Sequence, residues 1–200
     1  MNNNYHHGDL KNALIQAGIE ILSREGMEAL SLRQVARRAG VSHTAPYAHF
    51  ADKQALIAAI AAAGYQKLYE ALIAAQQPQD DPLARLMGTA HAYLQFALDE
   101  PDHFRITFSG VVEAEQDYPD YVEQSKRCFA LVVKVVEDCQ TGGLFTQADT
   151  QLVAVSIWSC IHGFVQLLLA KQLPGSLTAQ VSIHDLFKLH LRQVLPIDNR

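Results

Sequence analysis

Apolar residues recur three or four positions apart along nearly the whole chain, and no apolar–polar alternation survives for more than a few positions. That spacing predicts helices and leaves no strand to pair, so the expected class is all-α. The β-branched pairs Val132-Val133 and Val135-Val136 lie inside a longer segment of helical period. Prolines and glycines cut the pattern into pieces, with breaks at 77–82, Glu100-Pro101, Ser109-Gly110, Thr141-Gly142-Gly143 and Pro174-Gly175-Ser176. Helices are expected over 65–76 (continuing an earlier one), 82–99, 101–108, 119–140, 147–172 and 181–194.

The N-terminal third divides into shorter pieces. Leu10, Leu14, Ala17, Ile21 and Leu22 form one stripe, with Asp9 as its expected cap and Gly26 as its stop. Ser31-Leu32-Arg33-Gln34 is a capping box, and the stripe Leu32, Val35, Ala36, Ala39 after it ends at Gly40. Arg37 and Arg38 fall in its last turn, where positive charge suits the helix dipole. A third short helix is expected to open at Ser42 or Thr44 and end near Phe50. Pro46 favours Thr44, because it has no N–H to give a helix that is already under way. A fourth follows Asp52, with Leu56, Ile57 and Ile60 on one face.

Two short helices joined by a tight Gly-containing turn behind a longer one make a helix-turn-helix, whose second helix enters the DNA major groove. Ala36 permits close approach of the helices, Gly40 supplies a left-handed turn position, and Val41 fills the core between them. The charge distribution allows an anionic partner at this end. The net charge is -5, but through Lys53 six Lys and Arg stand against five Asp and Glu, and the remainder carries 10 basic and 16 acidic residues. His6, His7, His43 and His49 lie in the same segment.

Gly26, the run from Ser31 to Ala36, Ala39-Gly40-Val41-Ser42, Tyr47-x-His49-Phe50 and Asp52-Lys53-x-x-Leu56 together resemble the DNA-binding domain of TetR-type transcriptional regulators. Trp158-x-x-x-His162-Gly163 resembles the Trp-His-Gly signature of one class of TetR C-terminal domain. The resemblance implies a three-helix helix-turn-helix domain at 8–68, with its motif at about 31–50, and a C-terminal bundle at 69–200 for ligand binding and dimerisation. It implies DNA contacts from Arg33, Ser42, His43, Thr44, Ala45, Tyr47, His49 and Lys53, with Lys53 on a phosphate. Ala48 stands where many relatives carry Arg, so one phosphate contact is missing. Phe50 is assigned to the core. Tyr47 could also belong there, but is assigned to DNA.

In the C-terminal part, Phe104, Phe108, Tyr121, Phe129, Trp158 and His162 are candidates to line a ligand cavity, although helix packing alone accounts for most aromatics. Trp158 and His162 share a helix face; His162 could equally be a core histidine with a polar partner. Cys160 and His162 point apart in a helix, so no metal site is expected. No nucleophile motif is present, so no enzyme or cofactor is expected; a helical carrier protein and a hydrolase using His162 are the alternative functions.

The composition, 49% hydrophobic and 18% charged over 200 residues, excludes disorder, collagen and coiled-coil fibre. Cys128, Cys139 and Cys160 form no CxxC, which fits a reduced, cytoplasmic setting, and no secretion signal is expected. Residues 150–170 carry no charge over 21 positions, but Ser156, Ser159, His162, Gly163 and Gln166 favour a helix buried in a bundle or dimer over a membrane span. The expected function is a homodimeric regulator, a repressor released from a palindromic double-stranded DNA operator by a small-molecule inducer.

Overall fold

The computed structural model describes residues 7–77, 81–145 and 148–195, with side chains from Leu10 onward. Among these, all regular structure is helical: α1 (His7–Glu25), α2 (Leu32–Arg38), α3 (Lys53–Ala74), α4 (Pro82–Asp99), α5 (Pro101–Thr107), α6 (Pro119–Thr141), α7 (Thr150–Leu169), α8 (Gly175–Thr178) and α9 (Ile183–Val194), with 3-10 turns at Met27–Ala29, Ala45–Ala48 and Glu115–Asp117. The chain divides into two compact units, one of residues up to Lys67 with Asp102–Ser125, the other of Leu68–Pro101 with the chain from Lys126 onward. The first unit therefore takes in 102–125 as well as the N-terminal third.

Helix starts follow the local chemistry. Gln34 N donates to Ser31 Oγ at 3.2 Å, Ala55 N to Asp52 Oδ1 at 2.8 Å, Ala84 N to Asp81 Oδ1 at 2.7 Å and Leu152 N to Asp149 Oδ1 at 2.8 Å. Each bond satisfies an amide that the helix itself leaves unpaired. Three expectations are corrected. Helix α1 already runs from His7, so Asp9 lies within it and is no cap; the Asp9 side chain lies outside the described residues. The expected helix from Ser42 or Thr44 to Phe50 is a single 3-10 turn, Ala45–Ala48. Pro46 is the cause: it has no N–H for Ser42 O, so Ala45 N takes that carbonyl at 2.9 Å and Tyr47 N bonds to Thr44 O at 3.2 Å. The break at Pro174-Gly175-Ser176 contains α8, a single turn. Two expectations reach undescribed residues: Pro78, Gln79 and Asp80 of one break, and Gln147 at the expected start of α7.

In the first unit, Leu14, Ile21, Val35, Phe50, Leu56 and Ile60 are at most 2% exposed and form one core, which Ile106, Val112 and Tyr121 join. Gly40, at φ 69°, makes the turn after α2, and Val41 N bonds back to Ala36 O at 3.0 Å. Helices α3 and α5 meet closely. A Cβ on Gly64 would lie 1.9 Å from the buried Thr107 Oγ1, and His103 Nε2 donates to Ile60 O at 3.2 Å. Only glycine fits at that crossing.

The second unit packs α4 on α7 and α7 on α9 around Leu94, Val136, Ala154, Val165, Phe187 and Leu191. Arg85 and Asp138, 3.0 Å apart, tie α4 to α6. Helices α3 and α7 are each long and apolar enough to cross a membrane by length and composition. In α7, however, the expected burial is one-sided: Ala154, Ile157, Ile161 and Val165 are covered, while Leu152, Val155 and Leu167 are exposed.

Candidate nucleic-acid interface and buried polar cluster

The chain between α2 and α3 turns sharply at Gly40 and is held from beneath by Pro46 and Phe50, both buried. His49 N and Phe50 N each donate to Pro46 O at 2.9 Å, which closes the turn without side-chain help. Anchored below, the turn presents small polar groups above. Ser42, His43 and Thr44 are exposed, Ala45 is half-buried, and Ser42 Oγ and Thr44 Oγ1 hydrogen-bond to each other at 2.9 Å. Tyr47 is 55% exposed and Phe50 2%, so Phe50 belongs to the core and Tyr47 to the surface. An exposed tyrosine on a turn that also exposes Ser42 and Thr44 suits contact with sugar and phosphate.

Arg33 is exposed on α2, and Arg37, one turn further on, is exposed on the same face. The sequence reading assigned Arg37 only to the helix dipole, although its i,i+4 relation to Arg33 was visible. Arg37 donates to Gln34 Oε1 on its own helix, whereas Arg38 is engaged by Glu20 at 3.3 Å and Glu25 at 2.5 Å and braces α2 against α1. His49 is half-buried, with its ring 6.2 Å from that of Phe50. Lys53 Nζ donates to Met27 O at 2.6 Å, which fixes the start of α3 to the turn after α1 and leaves the ammonium two further donors.

The six candidate ligand residues fall into two groups. Phe104, Phe108 and Tyr121 belong to the first unit, where Tyr65 meets Phe108 at 5.4 Å and Tyr121 at 5.8 Å, and Phe104 meets Phe108 at 4.8 Å. Phe129, Trp158 and His162 belong to the second, with Trp158 6.1 Å from Phe129 and 6.0 Å from His162.

In this second group the polar contacts specify a protonation state. Gln166 Nε2 donates to His162 Nε2 at 3.1 Å, so that nitrogen accepts, and His162 Nδ1–H donates to Tyr93 Oη at 2.7 Å. Trp158 Nε1–H donates to the same oxygen at 3.4 Å. The ring is neutral in this arrangement, and burial lowers its pKa below the usual 6.5. Sequence reasoning missed both polar partners. Gln166 was accessible, four residues from His162 on the same face; Tyr93 comes from α4, and no local spacing points to it. A few fixed polar groups among aromatic rings can orient a small, largely apolar molecule. Among the described residues, no three His, Cys, Asp or Glu come together as a metal site.

Known proteins match both parts of the chain. Residues 14–60 match the family model of bacterial regulatory proteins of the tetR family, and residues 86–194 match the tetracyclin repressor-like C-terminal domain. An uncharacterized HTH-type transcriptional regulator of Bacillus subtilis, YobS, is 24% identical over 80% of this chain and 78% of its own. The class A tetracycline repressor protein of Escherichia coli is 33% identical over 48% of this chain and 43% of its own. A Rhodococcus sp. RHA1 protein of unknown function superposes with a TM-score of 0.76 at 28% identity, covering 97% of this chain and 100% of that one.

Proposed function

The chain belongs to the TetR family of bacterial regulators and is a DNA-binding transcriptional regulator; from that premise we propose that it is a repressor which binds a palindromic operator as a homodimer and leaves it when a small molecule binds the second unit. The observation that carries the DNA half is the recognition turn: Ser42, His43, Thr44 and Tyr47 stand exposed on a turn fixed from below by Pro46 and Phe50. One such turn makes few contacts, so affinity comes from two copies on half-sites about one helical turn of DNA apart, or a multiple of it. Arg33 and Lys53 supply phosphate contacts, and Thr44 with its neighbours reads base edges.

The exposed Leu152, Val155 and Leu167 of α7 and Leu189 of α9 form the dimer surface. The inducer rests against Trp158 and His162, which we assign to the Trp-His-Gly class of C-terminal domains. It must favour the conformation whose recognition turns miss the operator spacing, since equal affinity for both conformations shifts nothing.

The test is a salt-dependent gel shift of the full chain on duplexes selected from a random pool. Tyr47→Ala is expected to weaken specific and nonspecific binding alike, and Thr44→Ala to change the preferred sequence. Lys53→Ala should flatten the salt dependence by about one unit of slope. Failure to select any sequence would overturn the operator reading, and an unaltered slope in Lys53→Ala would remove that residue from the phosphate contacts.

A further inference from the structure

The first unit contains a groove of about 370 Å³ that no role proposed so far uses. This lies within the range of small-molecule sites. Its floor is the small-residue face of α3, including Ala55, Ala59 and Ala62, and α1 adds the buried Ile15. The far wall is the start of α6 with the 3-10 turn before it; it presents the half-buried Tyr118 beside the exposed carboxylates of Asp117 and Asp120, and the largely buried Tyr121, 7% exposed, lines it too.

Charge in and around this wall has one prevailing sign. Tyr121 Oη donates to Glu115 Oε1 at 3.3 Å. Burial together with the carboxylates of Asp52, Asp117 and Glu113 pushes the Tyr118 phenol above its usual value. Lys11, on α1, is the single Lys or Arg among the lining residues. Tyrosine faces beside carboxylates attract cations, and an alanine floor accepts apolar bulk.

We propose that this groove binds a small organic cation with an apolar body, an amine or quaternary ammonium carrying an alkyl or aryl group, as a site separate from the His162 cluster. The apolar part lies over Ala59 and Ala62, and the charge sits between the Tyr118 and Tyr121 rings and the Asp117 and Asp120 carboxylates. The groove also bears on DNA recognition, because His49 and Phe50, which close the recognition turn, line it as well. An occupant therefore touches the residues that hold Tyr47 in place.

The probe is benzyltrimethylammonium, titrated calorimetrically into the full chain, with 3-phenylpropanoate as a control of similar size and opposite charge. Saturable binding of one cation per chain and none of the anion is expected. Asp117→Asn with Asp120→Asn should weaken it about tenfold, the effect of two solvent-exposed charge pairs, with the fold unchanged because both side chains are exposed. Ala59→Leu should abolish binding by filling the floor, while His162→Gln should leave it intact. The proposal is overturned if no saturable binding occurs or the anion binds equally well. It is equally overturned if the double Asn variant binds as the wild type does, or if His162→Gln is the variant that loses the probe. Operator affinity measured without probe should be the same in the double Asn variant, which keeps this site's failure distinct from that of the DNA reading.

Discussion

The two units treat apolar surface differently. In the first, Tyr47 is the one large apolar side chain among the described residues that stays strongly exposed, on a turn that also exposes Ser42, His43 and Thr44. In the second, Ile73, Leu152, Val155, Leu167, Leu177 and Leu189 are all exposed, four of them on α7 and α9. A single exposed aromatic on a turn of exposed polar residues makes a surface for a polar, charged partner; a field of aliphatic groups on adjacent helices makes one for another protein surface. Polar residues follow the reverse order. Ser42 and Thr44 bond only across a local turn, whereas Tyr93, Trp158, His162 and Gln166 join α4 to α7 in a half-buried network.

Charging the aliphatic field should produce the largest effect. Val155→Glu with Leu189→Glu is expected to convert a dimer into a 22.1 kDa monomer or an aggregate, read by sedimentation. A wild-type chain that sediments at monomer mass at micromolar concentration would break the comparison itself, because the exposed aliphatics would then have no partner.

Next comes the close crossing inside the first unit. Gly64→Ala forces a methyl group into Thr107 Oγ1 and should cost about 2–3 kcal/mol in urea unfolding. Adding Thr107→Ala should recover part of the loss, since it removes a buried hydroxyl with no hydrogen-bond partner. Recovery in the double variant would identify the crossing as the cause; none would place the strain elsewhere on α3.

A smaller loss is expected from Ser31→Ala, about 1 kcal/mol, because Gln34 N loses its acceptor at the start of α2. If the recognition turn depends on its scaffold rather than on its own contacts, operator affinity should fall only in proportion to the unfolded fraction. Circular-dichroism melting beside the gel shift separates the two.

The smallest effect concerns pH. The folded chain holds His162 with a pKa below 6.5, so the unfolded chain takes up that proton first as the pH falls. Stability contributed at this site is therefore complete above about pH 6.5 and declines below it, until the folded-state pKa is passed. His162→Gln should flatten that part of the stability curve between pH 7 and pH 5; an identical slope would show that His162 does not titrate differently on folding.

The sequence by itself determined the helical class, several helix starts and the sharp turn at Gly40. These depend on local rules: apolar spacing, capping side chains at Ser31 and Asp52, and a Gly–Pro grammar that acts over a few residues. It also marked Trp158 and His162 as neighbours, since they share one helix face. Tertiary structure alone decided what lies across helices. It brought Tyr93 to His162, Met27 O to Lys53, Thr107 to Gly64 and residues 102–125 into the first unit. It also shortened the expected recognition helix to a 3-10 turn, and determined which face of the uncharged α7 is covered. Contacts 26 to 69 residues apart leave no periodic trace in the chain, because side chains meet there through the packing of separate helices and not through the pitch of one.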